Sequence, residues 1–143
     1  MPTNEVTAIR AAPAAEAAAH FARRLSLETD CSDVHDAMAS DAPGFVLLDV
    51  RGPGAYARAH VPGAVNLPHR EIGQERLAQW SDDTLFVVYC AGPHCNGADK
   101  GALKLASLGR SVKLMIGGMT GWADEMLPVA TGPSSGGQRP DAA

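Results

Sequence analysis

The chain is short of several things. It has three cysteines in 143 residues, an odd number that does not make a disulfide framework. A reducing cytoplasm is the simplest compartment for it. It has no basic surplus. The formal net charge is −4, so no excess of cations exists to neutralise phosphates, and a general nucleic-acid binder is not expected. No apolar run approaches the ~20 residues of a membrane span, so no membrane partner is expected either. The N-terminus lacks the charged, then apolar, then cleavable order of a secretory leader. No internal repeat is present, which argues against a solenoid or tandem array. Cys90, His94 and Cys95 are not followed by a second ligand pair at zinc-like spacing, so neither metal nor cofactor is expected.

What is present suits one globular domain with a real core: 45% apolar and 20% charged residues. Residues 1–13 are Ala-rich, hold two prolines, and read as a flexible lead-in. Ala14, Ala18, Phe21 and Leu25 line one stripe of a helix expected over Ala14 to Arg24. Arg24 to Thr29 alternates like a short edge strand. Together these form an N-terminal helix and edge segment over 14–31, with the helix read as a cap on the domain. Ser32 is the expected N-cap of a helix carrying Val34, Ala37 and Met38. Phe45 to Val50, Ala64 to Leu67, Leu85 to Tyr89 and Val112 to Ile116 read as strands. Ala55 to His60, Ile72 to Gln79 and Ala98 to Leu108 read as helical, the last closed by Gly109. A final short helix runs through Trp122 to Met126, capped by Thr120. Residues 131–143 hold little that is apolar and read as a disordered tail. The alternation predicts an α/β fold: a central parallel sheet with helices on both faces, plus the extra N-terminal helix.

The stretch from Leu85 to Lys100 organises the rest. Leu85 to Tyr89 suits a strand buried on both faces. Gly92, Pro93 and Gly97 then break the pattern, and a helix follows. Cys90 therefore sits at the carboxyl end of a strand, the edge where open α/β sheets bind ligands. A nearby helix N-terminus offers free N–H groups and a positive dipole end. That field stabilises a thiolate, so Cys90 is expected to titrate below the ~8.5 of a free cysteine.

Four motifs stand in order along the chain: Leu47-Leu-Asp-Val-Arg51, His60-Val-Pro-Gly-Ala-Val-Asn-Leu-Pro68, Val87-Val-Tyr-Cys90 and Ile116-Gly-Gly-Met-Thr-Gly-Trp122. In that order and spacing they resemble the signatures of the single-domain rhodanese-like (thiosulfate sulfurtransferase) family, over about residues 32–130. The resemblance implies a sulfurtransferase. A cysteine at the start of a loop takes a sulfane sulfur from a donor such as thiosulfate and becomes a persulfide. It then passes the sulfur to cyanide, a small thiol or a protein acceptor. By position that catalytic cysteine is Cys90, and Ala91, Gly92, Pro93, His94, Cys95, Asn96 and Gly97 form the substrate-binding loop. Asp49 and Arg51 match the family's Asp-x-Arg, which implies a supporting ion pair. His60 reads as a hydrogen-bond partner that supports its turn.

The loop departs from the family pattern. An arginine separated from the cysteine by four or five residues is common there; Cys95 and Asn96 occupy those places here. Anion holding then falls to backbone N–H groups, to His94 and to Lys100. Cys95 has three open readings: a second sulfur acceptor, a resolving thiol, or a loop residue. Cys31 and Trp122 read as scaffold and core. A phosphatase or arsenate-reductase-like reading wants an arginine to clamp three equatorial oxygens, and Asn96 stands in its place. A non-catalytic or redox-sensing binding module is the alternative from another class.

Overall fold

The two runs richest in β-branched and aliphatic side chains form the middle of the sheet. Val46–Asp49 is β2 and Leu85–Tyr89 is β4. They pair in parallel, with Leu48 opposite Val88 and Asp49 opposite Tyr89, in a computed structural model that describes residues 4–133. Three shorter strands complete the sheet: β1 Glu28–Thr29, β3 Val65–Asn66 and β5 Ser111–Met115. The order is β1-β5-β4-β2-β3, and every pairing is parallel. The helices are α1 Ala14–Leu27, α2 Cys31–Met38, α3 Pro53–Arg58, α4 Gln74–Leu77, α5 Gly97–Ser107 and α6 Gly118–Asp124, with a 3-10 turn at His69–Glu71.

Strand side chains alternate between two cores, as a period of two requires. Leu47, Val87, Tyr89 and Met115 face one side, where Cys31 and Val34 of α2, Tyr56 of α3 and Trp122 of α6 cover them. Leu48, Val50, Phe86 and Val88 face the other, against Leu77 of α4 and Ala98 and Leu105 of α5. The expected parallel sheet with helices on both faces is what the chain forms. Among the described residues no helix is long and apolar enough to cross a membrane.

Several boundaries differ from the sequence reading, each for a local reason. The expected edge strand from Arg24 shrinks to Glu28–Thr29 because α1 continues through Leu27. Its Ala-rich start and straight-chain residues favour helix more than the brief alternation favours strand. The N-cap of α2 is Asp30 and not Ser32: its carboxylate accepts from the Asp33 N–H at 2.9 Å, starting the helix earlier. Pro53 opens α3 at a position where its missing N–H costs nothing. The segment from Ile72 to Gln79 is helical only over Gln74–Leu77. Thr120 lies inside α6, which begins at Gly118. The cap reading of α1 also changes, since none of its residues is buried. Residues 1–3 of the expected lead-in and 134–143 of the expected tail lie outside the described residues.

The topology places a crevice. From β2 the chain moves outward to β3, and from β4 it moves the opposite way to β5. Neighbouring parallel strands whose connections diverge leave an opening at their carboxyl ends. Arg51 emerges there from β2, and Cys90 from β4.

Candidate active site

The β2 end of the crevice is held by a buried ion pair. Asp49 is fully buried and accepts from Arg51 Nε at 3.0 Å and Nη2 at 2.7 Å. The Arg51 backbone N–H and the Tyr89 hydroxyl also donate to it, at 3.0 and 2.8 Å. Arg51 reaches on to the Ala59 carbonyl at 2.6 Å, and the Val61 N–H donates to Tyr89 Oη at 3.0 Å. Asn66 Nδ2 donates to the carbonyls of Asp49 and Arg51. Burial works to lower the Arg51 pKa, but the hydrogen bond and charge of Asp49 outweigh it and raise it. Burial, then Asp49, pushes the Tyr89 phenol far up, so it stays a donor. His60 stacks on Tyr56 at 3.7 Å between ring centroids and shares a 2.8 Å hydrogen bond with the Tyr56 carbonyl. It supports the turn before Val61 and lies on none of the clefts described below.

The β4 end is built differently. Cys90 follows the central strand and is 6% exposed. The loop turns with Cys95 N–H bonded to the Gly92 carbonyl at 3.0 Å. That turn brings Cys95 Sγ to 2.7 Å from Cys90 Sγ. Gly97 N–H lies 3.5 Å from Cys95 Sγ. A Cβ on Gly97 would stand 2.7 Å from Cys90 Sγ and 3.5 Å from Cys95 Sγ, so both sulfurs rest over a bare Cα. The start of α6 clamps the loop from the other side. Met119 N–H donates to the Cys90 carbonyl at 3.0 Å, and Thr120 N–H and Oγ1 donate to the Ala91 carbonyl. Gly118 has φ 56°, and a Cβ there would meet the Cys90 carbonyl oxygen at 2.5 Å. Only glycine permits that approach.

Two thiols this close titrate as a pair. Burial, then the hydrogen bond to Cys95, pushes Cys90 up to about 11, while the Ala91 and Gly97 amides pull the other way. The Cys90 hydrogen bond and then the Gly97 N–H lower Cys95. The expectation of a low Cys90 pKa is therefore reversed: the strand-end sulfur is the more buried of the two, and Cys95 is the one that ionises first.

A cleft of about 540 Å3 opens beside the pair, lined by Arg51, His69, Arg70, Cys90, Cys95, Asn96 and Lys100 among others. Its rim is cationic because α5 packs tightly on the 3-10 turn. Gly101 allows this, since a Cβ there would lie 3.3 Å from Val50 and 3.4 Å from Ile72. Lys104 Nζ reaches the Arg70 carbonyl at 3.5 Å. Slight burial and then the neighbouring Lys100, Arg70 and Lys104 charges lower the His69 pKa. A smaller cleft of about 240 Å3 reaches the two sulfurs from the β5 side, past Pro93 and Gly117. A third, of about 510 Å3, lies between α1 and β1, away from both sulfurs.

Residues 30–125 match the rhodanese-like domain as a family. The chain belongs to that family. The rhodanese-like domain is 36% identical over 96 residues to an HTH-type transcriptional regulator of Mycobacterium tuberculosis; the match covers 67% of this chain and 42% of the regulator. It is 35% identical over 88 residues to the thiosulfate sulfurtransferase GlpE of Pseudomonas entomophila, covering 60% of this chain and 77% of that protein. Among solved structures, the BH2092 protein of Bacillus halodurans superposes with a TM-score of 0.81 at 34% identity, over 88% of this chain and 92% of that one.

In this rhodanese-like domain the residues singled out by sequence divide into three groups. Cys90, Ala91, Cys95, Asn96, Gly97 and Lys100 share the larger cleft, and Gly92 and Pro93 line the smaller one. His94 is exposed and lines neither. Asp49 and Arg51 form their ion pair, with Arg51 also on the cleft wall. Cys31 is buried behind α6, with Sγ 3.6 Å from the Ile116 carbonyl and 3.7 Å from that of Gly118. Burial, then Glu125 and Asp30, pushes it up to about 11. Trp122 is 1% exposed. Sequence reasoning missed His69 and Arg70. Their only sequence signal is a basic pair just after Pro68, and only the fold lays them beside Lys100.

Proposed function

We propose that this rhodanese-like domain is a sulfurtransferase that works through a Cys90 persulfide. The observation that carries the reading is a thiol pair on loop amides at the carboxyl edge of the central strand, opening on a cationic cleft. Membership of the family and the likeness to GlpE support the same class of chemistry. Thiosulfate is a dianion, and Arg51, Arg70 and Lys100 supply the opposite charge that draws it in. Cys95 ionises first, and its thiolate takes the Cys90 proton when Cys90 reacts. The Cys90 thiolate attacks the outer sulfur of thiosulfate. The donor S–S bond breaks with its electron pair on the sulfite, which leaves, and Cys90 holds the sulfane sulfur as a persulfide. The Ala91 and Gly97 amides favour the charged form of Cys90 before it attacks. Cyanide or a thiolate then takes the outer sulfur and returns the Cys90 thiolate.

Thiocyanate formation from thiosulfate and cyanide tests this, beside a phosphate-release assay on aryl phosphate. Thiocyanate without phosphate is the expected result. Phosphate release without thiocyanate would assign the loop to phosphoryl chemistry. Silence in both, with folded and reduced protein, would leave a non-catalytic module.

A further inference from the structure

A catalytic loop that needs one sulfur nucleophile here holds two, and their geometry limits what the second can do. The sulfurs are 2.7 Å apart, against ~2.05 Å for a disulfide. An outer sulfur placed between them, one ~2.05 Å bond from Cys90, would overlap Cys95. The persulfide must therefore turn its outer sulfur away from Cys95, toward the clefts that reach Cys90 beside the loop. Cys95 then faces the inner sulfur, with the outer one behind it as a leaving group. Displacement at sulfur needs that in-line order. Sulfur acceptance by Cys95 would need the outer sulfur in front, which the spacing forbids.

We propose that Cys95 is a resolving thiol that expels the transferred sulfur as hydrosulfide and closes a Cys90–Cys95 disulfide. The proposal rests on the sulfurtransferase reading above and adds an activity to it. The proton that passed to Cys95 moves on to the outer sulfur, so Cys95 enters as the thiolate and Cys90 as the protonated persulfide. The Cys95 Sγ–Cys90 Sγ bond forms. The bond from Cys90 Sγ to the outer sulfur breaks, its electron pair goes to that sulfur, and HS⁻ leaves. The sulfane sulfur is reduced to sulfide, and the two cysteines are oxidised together to the disulfide. A dithiol reductant restores both thiols for the next round. The Gly97 N–H beside Cys95 supports the charge of the attacking thiolate. The net reaction is donor plus dithiol giving sulfite, hydrosulfide and an oxidised dithiol. The domain would thus feed any reaction that consumes free sulfide.

The test is a single turnover of fully reduced, reductant-free protein. Thiosulfate is added without acceptor, and hydrosulfide is trapped with a bimane while intact mass is followed. In the native chain a gain of ~32 Da should be transient. It should give way to a chain ~2 Da lighter than the starting protein, with hydrosulfide released. In Cys95→Ser the adduct should persist at least ~10-fold longer, because an effectively intramolecular thiol has been removed. Cys95→Ala should repeat this without a hydroxyl, and far-UV circular dichroism checks the fold of both. Equal adduct lifetimes in native and variant chains would overturn the resolving role and leave sulfurtransfer standing. If neither protein takes up sulfur, from thiosulfate or from polysulfide, the sulfurtransferase reading falls and this falls with it.

Discussion

The two strand ends that flank the crevice carry buried polar groups with opposite fates. At the β2 end every group has a fixed partner. Asp49 accepts from Arg51, its own neighbouring amide and Tyr89, while Arg51 and Asn66 bind carbonyls on either side. Nothing there is left to react. At the β4 end the buried group is a thiol whose closest polar partner is another thiol. Such a partner can bond to it, take its proton or be exchanged for a substrate sulfur. Burial alone does not separate the two cases. Cys31 is more buried than Cys90 and is pushed to about 11, as Cys90 is. Its Sγ meets only two carbonyl oxygens, which favour the thiol and offer no route for a thiolate. The identity of the partner, more than the depth of burial, tells a structural polar group from a chemical one.

The sharpest way to break this comparison is Cys90→Ser. It removes the proposed nucleophile without disturbing the β2 network. Thiocyanate formation should fall by ~10³-fold or more, and the urea midpoint should stay close to native. A variant that still makes thiocyanate would move the nucleophile off the strand end. Asp49→Ala is the mirror experiment. It leaves Arg51 buried without its carboxylate, a loss of about 3–5 kcal/mol for a pair of this kind. Urea unfolding should show it, and a midpoint within error of native would mean the network is not holding the sheet edge. The next effect is smaller. Lys100→Ala and Arg70→Ala should each raise the KM for thiosulfate ~3–10-fold at low salt, with the difference shrinking as ionic strength rises. A KM that ignores both charge and salt would remove the cationic cleft from donor binding.

Much of this was legible in the sequence, for definite physical reasons. The apolar runs at Leu85 to Tyr89 and Phe45 to Val50 mark central strands because burial on both faces leaves no room for polar alternation. Asp49 and Arg51 could be paired on paper because they match the family's Asp-x-Arg at the end of a strand. Three things were out of reach. The paired titration of Cys90 and Cys95 depends on a turn closed by Cys95 N–H and the Gly92 carbonyl, and no local spacing announces it. The cationic rim joins a 3-10 turn to α5 across Gly101, a contact between segments about thirty residues apart. Thr120 looked like a helix cap because Thr favours caps; in place, it bonds the Ala91 carbonyl and fixes the start of the reactive loop.

The subtlest prediction concerns which thiol ionises first. Of the pair, Cys95 is the thiol whose ionisation is favoured and Cys90 the one whose proton is held, so iodoacetamide should reach Cys95 at a lower pH than an ordinary thiol requires. Cys90 should label only as the pH approaches about 11, and Cys31, equally high and 2% exposed, should serve as the unreactive reference. The sign of the Cys95→Ser effect follows from the causes. Burial raises Cys90 most and survives the substitution. The Cys95 contribution, second in size, is an acceptor that holds the Cys90 proton in place. A serine hydroxyl in that position donates instead, which favours the thiolate. The Cys90 inflection should therefore move down, by less than its whole elevation. Peptide mapping of the alkylated protein across pH reads both sites at once. An inflection that stays put or climbs in Cys95→Ser would mean the two sulfurs do not titrate as a pair, and the contrast with Cys31 would then rest on access alone.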